Sequence, residues 1–275
     1  MKGVENMLKR IISGIIGIIA AVIIINQGGL LFLATISILT IIGMLEFYRM
    51  VGVRDIKPFR VTGVISGLIL VIFAYLYNNI PNTITSILPV LIFTLFLTFV
   101  VQLLKNGTEN AILNVSTTFF GIFYLGGLFA HVILLRQIDI PGIPGIYAVY
   151  FALTCTWSTD TCAYFLGKTF GKRPLAPQIS PNKTMAGFLG GILGSVTAGL
   201  IFSVATVFNP YKAVIIAFII GIVGQLGDLF ESAMKRDAEV KDSGDVIPGH
   251  GGILDRFDSG LFTLALTYYL IHLLF

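Results

Sequence analysis

Acidic side chains are concentrated in one short stretch of the chain, between residues 228 and 258. Eight of the 14 aspartates and glutamates lie there: Asp228, Glu231, Asp237, Glu239, Asp242, Asp245, Asp255 and Asp258. The same stretch holds four lysines or arginines, one histidine, one proline and several glycines. Carboxylates suit Mg²⁺, and lysine and arginine neutralise phosphate, so this combination is typical of a polyphosphate site.

Three features favour a polyphosphate site over the alternative, a merely solvated charged loop. Asp228 directly follows an apolar run, so its carboxylate lies near a membrane boundary, where it is costly without a partner or a role. Charges of both signs are interleaved with glycines and one proline, namely Gly244, Pro248, Gly249, Gly251 and Gly252, and a Gly-rich turn lets backbone N–H groups approach phosphate closely. Asp255 and Asp258 share a face if a helix begins before them. The pattern therefore predicts phosphoryl or nucleotidyl transfer at a membrane surface.

The rest of the chain must position this stretch, and its composition is that of an integral membrane protein. Only 12% of the 275 residues are charged and 56% are apolar, with a mean hydropathy of +0.91. Too little polar surface remains to cover a soluble globule. Intrinsic disorder needs the opposite composition, and two cysteines exclude a disulfide scaffold. No nucleic-acid partner is expected.

Nine apolar segments could cross a bilayer as helices, which takes about 20 residues each. They are Ile11–Ile25, Leu30–Tyr48, Val61–Tyr77, Ile84–Leu104, Val115–Leu135, Ile146–Leu166, Met185–Phe208, Ala213–Leu229 and Leu261–Phe275. We therefore expect an all-α polytopic membrane protein with a single transmembrane domain over 1–275. N-terminal spans would occupy 11–135, and catalytic spans with their cytoplasmic connections would occupy 145–275. A cleaved signal peptide is the alternative for the short first segment.

The basic residues indicate which side each connection occupies. With nine spans, 16 of the 18 lysines and arginines fall on one side, and only Arg136 and Lys212 on the other. Cytoplasmic connections carry the excess of positive charge. The N-terminus and the stretch 228–258 are therefore expected in the cytoplasm, and the C-terminus outside.

The stretch from Ser232 to Asp258 resembles the signature of the phosphatidate cytidylyltransferases, or CDP-diglyceride synthases. The matching residues are Ser232, Lys235, Arg236, Lys241, Asp242, Gly244, Ile247, Pro248, His250, Gly251, Gly252, Asp255, Arg256 and Asp258. A second polar segment of that family resembles Asp160–Tyr164, Gly167, Lys168, Gly171, Lys172, Ala176, Pro177 and Ser180–Thr184, and its eighth helix resembles Gly224, Gly227, Asp228 and Glu231. Cys162 departs from the pattern, since a small residue such as glycine is more usual there.

The resemblance implies a Mg²⁺-dependent condensation of CTP with phosphatidic acid, which gives CDP-diacylglycerol and pyrophosphate for phospholipid biosynthesis. A phosphate oxygen of the lipid would attack the α-phosphorus of CTP. This nucleophile is already anionic, so neutralising the two reactants matters more than a strong base. The enzyme would be an integral protein of the cytoplasmic (inner) membrane with its active site on the cytoplasmic side.

The resemblance also assigns candidate roles. The catalytic set is Asp228, Lys241, Asp242, His250, Asp255, Arg256 and Asp258. One Mg²⁺ or a pair would be held by Asp228, Asp255 and Asp258, with Asp160 as a further candidate for the metal or for the nucleotide. Substrate phosphates would be bound by Ser180, Lys183, Thr184, Lys235, Arg236, Lys241, Gly251, Gly252 and Arg256. His250 would donate to pyrophosphate or orient a carboxylate, and Asp242 would support the metal or brace its loop.

Other residues are expected to be structural. Glu46 can pair with Arg49 one helical turn later. Four glycines at three-to-four spacing predict close helix packing: Gly187, Gly190, Gly191 and Gly194. A homodimer is compatible with such small-residue surfaces.

Two rival functions share some of these features. A transporter or channel would explain nine spans, but it predicts charges near the centres of several spans. A CTP-using lipid kinase shares part of the pattern, but the run from His250 to Asp258 favours the cytidylyltransferase. A structural membrane protein leaves the crowded polar stretch unexplained.

Overall fold

A computed structural model describes residues 2–52, 56–76, 87–141, 143–206, 208–246 and 251–275, with side chains from residue 14 onwards. Within these residues the chain is built from helices and two short hairpins. The helices are α1 (Lys2–Gln27), α2 (Gly29–Val51), α3 (Arg60–Leu76), α4 (Leu88–Asn106), α5 (Ala111–Gly121), α6 (Leu128–Arg136), α7 (Gly145–Phe170), α8 (Met185–Ala205), α9 (Pro210–Asp237) and α10 (Leu254–Leu274). A π-helical stretch, Ile122–Gly127, joins α5 to α6. The predicted all-α class is confirmed.

Six of the described helices are long and apolar enough to cross a membrane, judged by length and composition. They are α2, α4, the continuous α5–α6 helix, α8, α9 and α10. Two further predicted spans fall on shorter apolar helices, Gly14–Gln27 within α1 and Arg60–Leu76. The predicted span Ile146–Leu166 lies in α7, whose second half carries the polar run Ser158–Thr161 and is less apolar. The structure therefore supports a polytopic membrane protein.

The chain divides into two compact units, of which the first comprises Met1–Leu134 and Ala238–Arg256. In this unit α2 packs against α3 and the π-helical stretch. Tyr48 fills the space left by two glycines, because a Cβ at Gly121 would lie 2.7 Å from its ring and one at Gly63 would overlap it. The Tyr48 hydroxyl donates to the backbone oxygen of Thr118 at 2.8 Å. These contacts fix the C-terminal end of α2.

The second unit comprises Leu135–Asp237 and Phe257–Phe275. Here α8 packs against both α7 and α9. The four glycines of α8 make this possible: a Cβ would meet Ala163 O at 2.8 Å from Gly187, Leu166 at 2.5 Å from Gly190, Gln225 at 2.8 Å from Gly191, and Cys162 Sγ at 2.5 Å from Gly194. The predicted close helix packing is confirmed.

Two glycines of α9 bring this helix close to α10. A Cβ at Gly224 would lie 3.1 Å from Thr263, and one at Gly227 would lie 2.9 Å from the backbone oxygen of Asp258. Asp228 follows Gly227 directly, so the same close approach brings Asp228 towards the first turns of α10.

Both hairpins belong to the second unit. Strand β1 (Asp139–Ile140) pairs antiparallel with β2 (Ile143–Pro144), with Asp139 opposite Pro144. Strand β3 (Pro174–Ala176) pairs antiparallel with β4 (Ser180–Thr184), with Pro174 opposite Thr184. Thr184 also caps α8, because its Oγ1 accepts a hydrogen bond from Gly187 N at 3.1 Å. The β3–β4 hairpin therefore delivers Lys183 at the start of α8.

Candidate active site

Three carboxylates of the second unit converge where α9 ends and α10 begins. One carboxylate oxygen from each of Asp228, Glu231 and Asp258 lies within 4.8 Å of the others. Asp228 and Glu231 are three residues apart on α9 and therefore share a helix face. Glu231 is buried, whereas Asp228 and Asp258 are half-buried. Such a group offers the oxygen ligands that hard divalent cations prefer.

Two lysines are paired with this acidic group. Lys183 Nζ, from β4, lies 2.7 Å from Asp228 Oδ2. Lys235 Nζ lies 2.9 Å from Glu231 Oε2, one turn further along α9. The Ser232 hydroxyl also lies 3.4 Å from Asp228 Oδ1. Both ion pairs are partly or largely buried, so the attraction between their charges is stronger than in a fully exposed pair.

Asp160 of α7 adds a fourth carboxylate to the same region. Its Oδ2 accepts a hydrogen bond from the Ser259 hydroxyl at 3.5 Å, and it interacts electrostatically with Asp258, Asp228 and Lys183. The Ser259 backbone N–H donates to Asp258 Oδ1 at 2.6 Å. Ser259 therefore lies between the two aspartates, and the sequence-predicted candidates Asp160, Asp228 and Asp258 are brought together.

The charge balance of this region fits a bound divalent cation. Four carboxylates, from Asp160, Asp228, Glu231 and Asp258, are neighbours of two ammonium groups, from Lys183 and Lys235. Like charges held this close repel one another unless a cation neutralises them. The donor atoms are all oxygens, which matches the preference of Mg²⁺ or Ca²⁺ rather than a thiolate-binding metal.

Glu231 was not singled out from the sequence as a site residue. It lies one turn after Asp228 within a predicted polar segment, where an acidic residue is unremarkable. The signal that could have found it is its i, i+3 spacing from Asp228 and its i, i+4 spacing from Lys235.

Asp255, in the first unit, has a different environment. Its Oδ2 accepts hydrogen bonds from Ser243 N, Ser243 Oγ and Gly252 N, each at 2.9 Å. Gly251 has φ of +82°, and a Cβ there would lie 2.7 Å from the same oxygen. This carboxylate oxygen therefore braces the loop that precedes α10. A metal role for Asp255 stays a prediction.

Glu46 has a structural partner other than the one its spacing predicts. Instead of pairing with Arg49, its carboxylate accepts hydrogen bonds from Ile253 N and Leu254 N, both at 3.0 Å. These N–H groups belong to the start of α10, where helices have unsatisfied backbone donors. The sequence signal was a glutamate at the end of an apolar span, where an ionisable group needs a partner.

The remaining predicted residues are distributed between the two units. Lys241, Asp242 and Arg256 are exposed in the first unit, while Gly251 and Gly252 line the Asp255 loop there. Ser180 and Thr184 lie on β4, and Arg236 is exposed near the end of α9, all in the second unit. His250 lies outside the described residues.

Comparison with known proteins gives one consistent result. The model of the cytidylyltransferase family matches residues 8–274. A phosphatidate cytidylyltransferase of Bacillus subtilis is 37% identical over 98% of this chain and 98% of the relative. Relatives with the same description from Synechocystis and Staphylococcus aureus are each 35% identical, covering 97% and 94% of this chain and 97% of each relative. Since the family model spans nearly the whole chain, the chain belongs to the cytidylyltransferase family.

Proposed function

We propose that this protein is a phosphatidate cytidylyltransferase, which condenses CTP with phosphatidic acid to CDP-diacylglycerol and pyrophosphate. The observation that carries the proposal is the full-length similarity to relatives described by that activity. The acidic group of Asp228, Glu231 and Asp258, paired with lysines, is the arrangement that such chemistry needs.

The reaction is a displacement at the α-phosphorus of CTP. A phosphate oxygen of the lipid forms the new P–O bond, and the bond from the α-phosphorus to the oxygen bridging to the β-phosphorus breaks. Pyrophosphate leaves with that electron pair. Because the attacking oxygen is anionic at neutral pH, the principal obstacle is repulsion between two polyanions, which positive charge at the site lowers.

Mg²⁺, as one ion or a pair, is the proposed cofactor. Asp228 and Asp258 would hold it, with Glu231 beside them; Asp255 and Asp160 remain further proposed ligands. When bound, the metal supplies charge neutralisation at the phosphate oxygens. The ammonium of Lys183 keeps the Asp228 carboxylate oriented through their 2.7 Å contact.

Cationic side chains would bind the phosphates of both substrates. We assign Lys183, Lys235 and Arg236 from the second unit, and Lys241 and Arg256 from the first. Ser180, Thr184, Gly251 and Gly252 would add hydroxyl and backbone donors. His250 would donate to pyrophosphate or orient a carboxylate, and Asp242 would support the metal or brace its loop.

The membrane arrangement completes the proposal. The whole chain would form one transmembrane catalytic domain with nine spans, in the inner membrane of a bacterial cell. The N-terminus and the active site would face the cytoplasm, where CTP is dissolved. A homodimer is the proposed assembly.

A reconstituted assay tests the function. Purified protein in lipid nanodiscs receives radiolabelled CTP and phosphatidic acid, with and without Mg²⁺, and both products are identified. The proposal expects a CDP-lipid and pyrophosphate only when Mg²⁺ is present. A phosphorylated lipid with CDP would indicate a lipid kinase, and substrate flux into vesicles without a lipid product would indicate a transporter; either result contradicts the proposal.

A further inference from the structure

Glu46 is a buried carboxylate in the first unit for which the proposed chemistry has no use. It lies near the C-terminal end of α2 and is only 2% exposed. Burying a carboxylate is costly unless hydrogen-bond donors surround it. Its Oε1 accepts from Ile253 N and its Oε2 from Leu254 N, both at 3.0 Å. The positive end of the α10 dipole adds to this stabilisation.

Several residues of the segment that resembles the family signature lie against this carboxylate; the described parts of that segment, residues 241–246 and 251–256, are called the loop. A Cβ at Gly244 would lie 2.7 Å from Glu46 Oε1, and one at Gly252 would lie 2.6 Å from Oε2. Two glycines that the signature contains are therefore explained by the space that Glu46 occupies, together with the Ser243 hydroxyl at Gly252. Any larger residue at either position would push the loop away from α2.

Ser243 connects Glu46 to the second carboxylate of the loop. Its hydroxyl lies 2.9 Å from Asp255 Oδ2 and 3.4 Å from Glu46 Oε2. A hydroxyl has one proton to donate, so the shorter contact is the stronger bond and the longer one is secondary. Together with Ser243 N and Gly252 N on Asp255, the two carboxylates hold both ends of the loop.

The residues held in this way are neighbours in sequence of the proposed phosphate-binding cations. Lys241 and Asp242 precede Ser243, and Arg256 follows Asp255. Both Lys241 and Arg256 are exposed, so their positions depend on the backbone from which they project. Fixing that backbone before the nucleotide binds lowers the entropy cost of binding.

We propose that Glu46 is a positioning residue for CTP binding, which holds the described parts of the loop, residues 241–246 and 251–256, so that Lys241 and Arg256 project correctly. The inference rests on the proposed function for the identity of the ligand. It differs from a merely structural role in one respect: a loss of Glu46 should change the affinity for CTP more than the stability of the protein.

Two variants approach the same contact from opposite sides. Glu46→Gln keeps the side-chain shape but places an amide N–H₂ against a backbone N–H, and Gly244→Ala inserts a methyl group against Glu46 Oε1. Asn114→Ala is the matched control in the same unit: Asn114 is 1% exposed, and its side chain bonds to Lys57, Gln102 and Glu109 rather than to the described residues of the loop. All three are purified at full length in nanodiscs.

Three quantities are measured for each variant: the KM values for CTP and phosphatidic acid, the melting temperature, and amide hydrogen exchange in the peptide covering residues 251–256. We expect both loop variants to raise the KM for CTP at least five-fold and to speed exchange in that peptide. The KM for phosphatidic acid should change less than two-fold. Asn114→Ala should lower the melting temperature and leave the KM for CTP and the exchange unchanged.

Unchanged KM for CTP and unchanged exchange in both loop variants would overturn the inference. So would an equal rise in the KM for CTP in Asn114→Ala, since that would indicate general destabilisation. If wild-type protein makes no CDP-lipid, the proposed function fails. The exchange comparison then still decides whether Glu46 holds the loop.

Discussion

At the scale of single residues, the acidic group of the second unit is an arrangement that could hold a divalent cation. The carboxylate oxygens of Asp228, Glu231 and Asp258 lie within 4.8 Å of one another. Lys183 and Lys235 offset part of this negative charge, and each contacts one of the carboxylates. A divalent ion would neutralise the remainder, and substrate phosphates would then approach a positive rather than a negative site.

Removing one of these charges should strongly reduce catalysis without unfolding the protein. We expect Asp228→Asn and Asp258→Asn each to lower kcat/KM for CTP by at least about 100-fold, because charge stabilisation at the transferred phosphoryl group is lost. Mn²⁺ binding, followed by electron paramagnetic resonance, should weaken in parallel. Asp237→Asn, an exposed change on the same helix, is the control. Near-normal activity and Mn²⁺ binding in either variant would remove that aspartate from the metal site.

Glu231 should be needed for metal affinity although the sequence analysis gave it no role in the site. Glu231→Gln keeps the volume of this buried side chain but removes its charge and weakens the 2.9 Å pair with Lys235. We expect the Mg²⁺ concentration for half-maximal activity to rise about 10-fold, within the range seen when groups that support a metal are lost. An unchanged Mg²⁺ dependence would place Glu231 outside the metal site and leave its ion pair with Lys235 as a structural contact.

Lys241 should act on the nucleotide rather than on the fold. It is exposed, so its ammonium can reach a phosphate without a desolvation cost. We expect Lys241→Ala to raise the KM for CTP or to lower kcat by several-fold, at least about five-fold, because a charge-assisted contact to phosphate is lost. Lys172→Ala is the matched control, since Lys172 is an exposed cation with no proposed role. Equal rates for wild type and Lys241→Ala would contradict the phosphate role.

The sequence predicted the role of a residue when the partners of its side chain were close in sequence or belonged to a recognisable pattern. Asp228 could be singled out because a carboxylate at the boundary of an apolar run is costly without a partner. Asp258 could be singled out by its spacing from Asp255 and by the family resemblance. Asp255 belongs to the same sequence signature, yet its Oδ2 accepts hydrogen bonds from Ser243 Oγ and Gly252 N. Glu46 lies far from the signature in sequence, 207 residues before Ile253. A contact of that separation leaves no local pattern in a single sequence.

At the scale of elements, glycine decides how closely the helices of the second unit approach. The three-to-four spacing on α8 was readable because it puts small residues on one face of a helix. The β3–β4 hairpin was not predicted, because Pro174–Ala176 and Ser180–Thr184 lack the alternation of apolar and polar residues that marks a strand. The π-helical stretch was also not predicted. One extra residue in a helical turn leaves no visible change in the spacing of apolar residues when the whole run is apolar.

A bulky residue in the glycine stripe of α8 should separate the helices that carry the site. At Gly194 a Cβ would already lie 2.5 Å from Cys162 Sγ and 2.8 Å from Ser158 O. We expect Gly194→Val to destabilise the protein by about 1–3 kcal/mol, as overpacking does, and to lower activity with it. The measurement is the melting temperature in nanodiscs. Gly17→Val on α1, where nothing lies within 4 Å, is the control; equal melting temperatures for the two variants would contradict the packing argument.

At the scale of the whole molecule, the distribution of charge along the chain predicts a topology, which the second unit allows to be tested at the two ends of one helix. Lys212 Nζ, at the start of α9, lies 4.4 Å from the centre of the Phe275 ring at the C-terminus. Asp228 is 16 residues further along α9, about 24 Å away at 1.5 Å per residue. Lys212 and the acidic group therefore occupy opposite ends of α9, separated by most of a bilayer's hydrocarbon thickness.

Side-specific labelling should therefore distinguish the two ends. In a background with Cys155→Ala and Cys162→Ala, Lys212→Cys and Lys172→Cys are exposed in turn to a membrane-impermeant maleimide. If the active site faces the cytoplasm, we expect position 212 to be labelled while the inner membrane is still intact, once the reagent can cross the cell envelope outside it. Position 172 should be labelled only after the inner membrane is also made permeable. A C-terminal protease site should be cut from the same side as position 212 is labelled, because nine spans place the two termini on opposite sides. Labelling of both positions from one side would contradict the 16-to-2 charge split as a guide to this topology. A C-terminal protease site that is cut only after the inner membrane is made permeable would instead require an even number of spans. The proposed active site would then remain on the cytoplasmic side only if the span count differed from nine after Asp258.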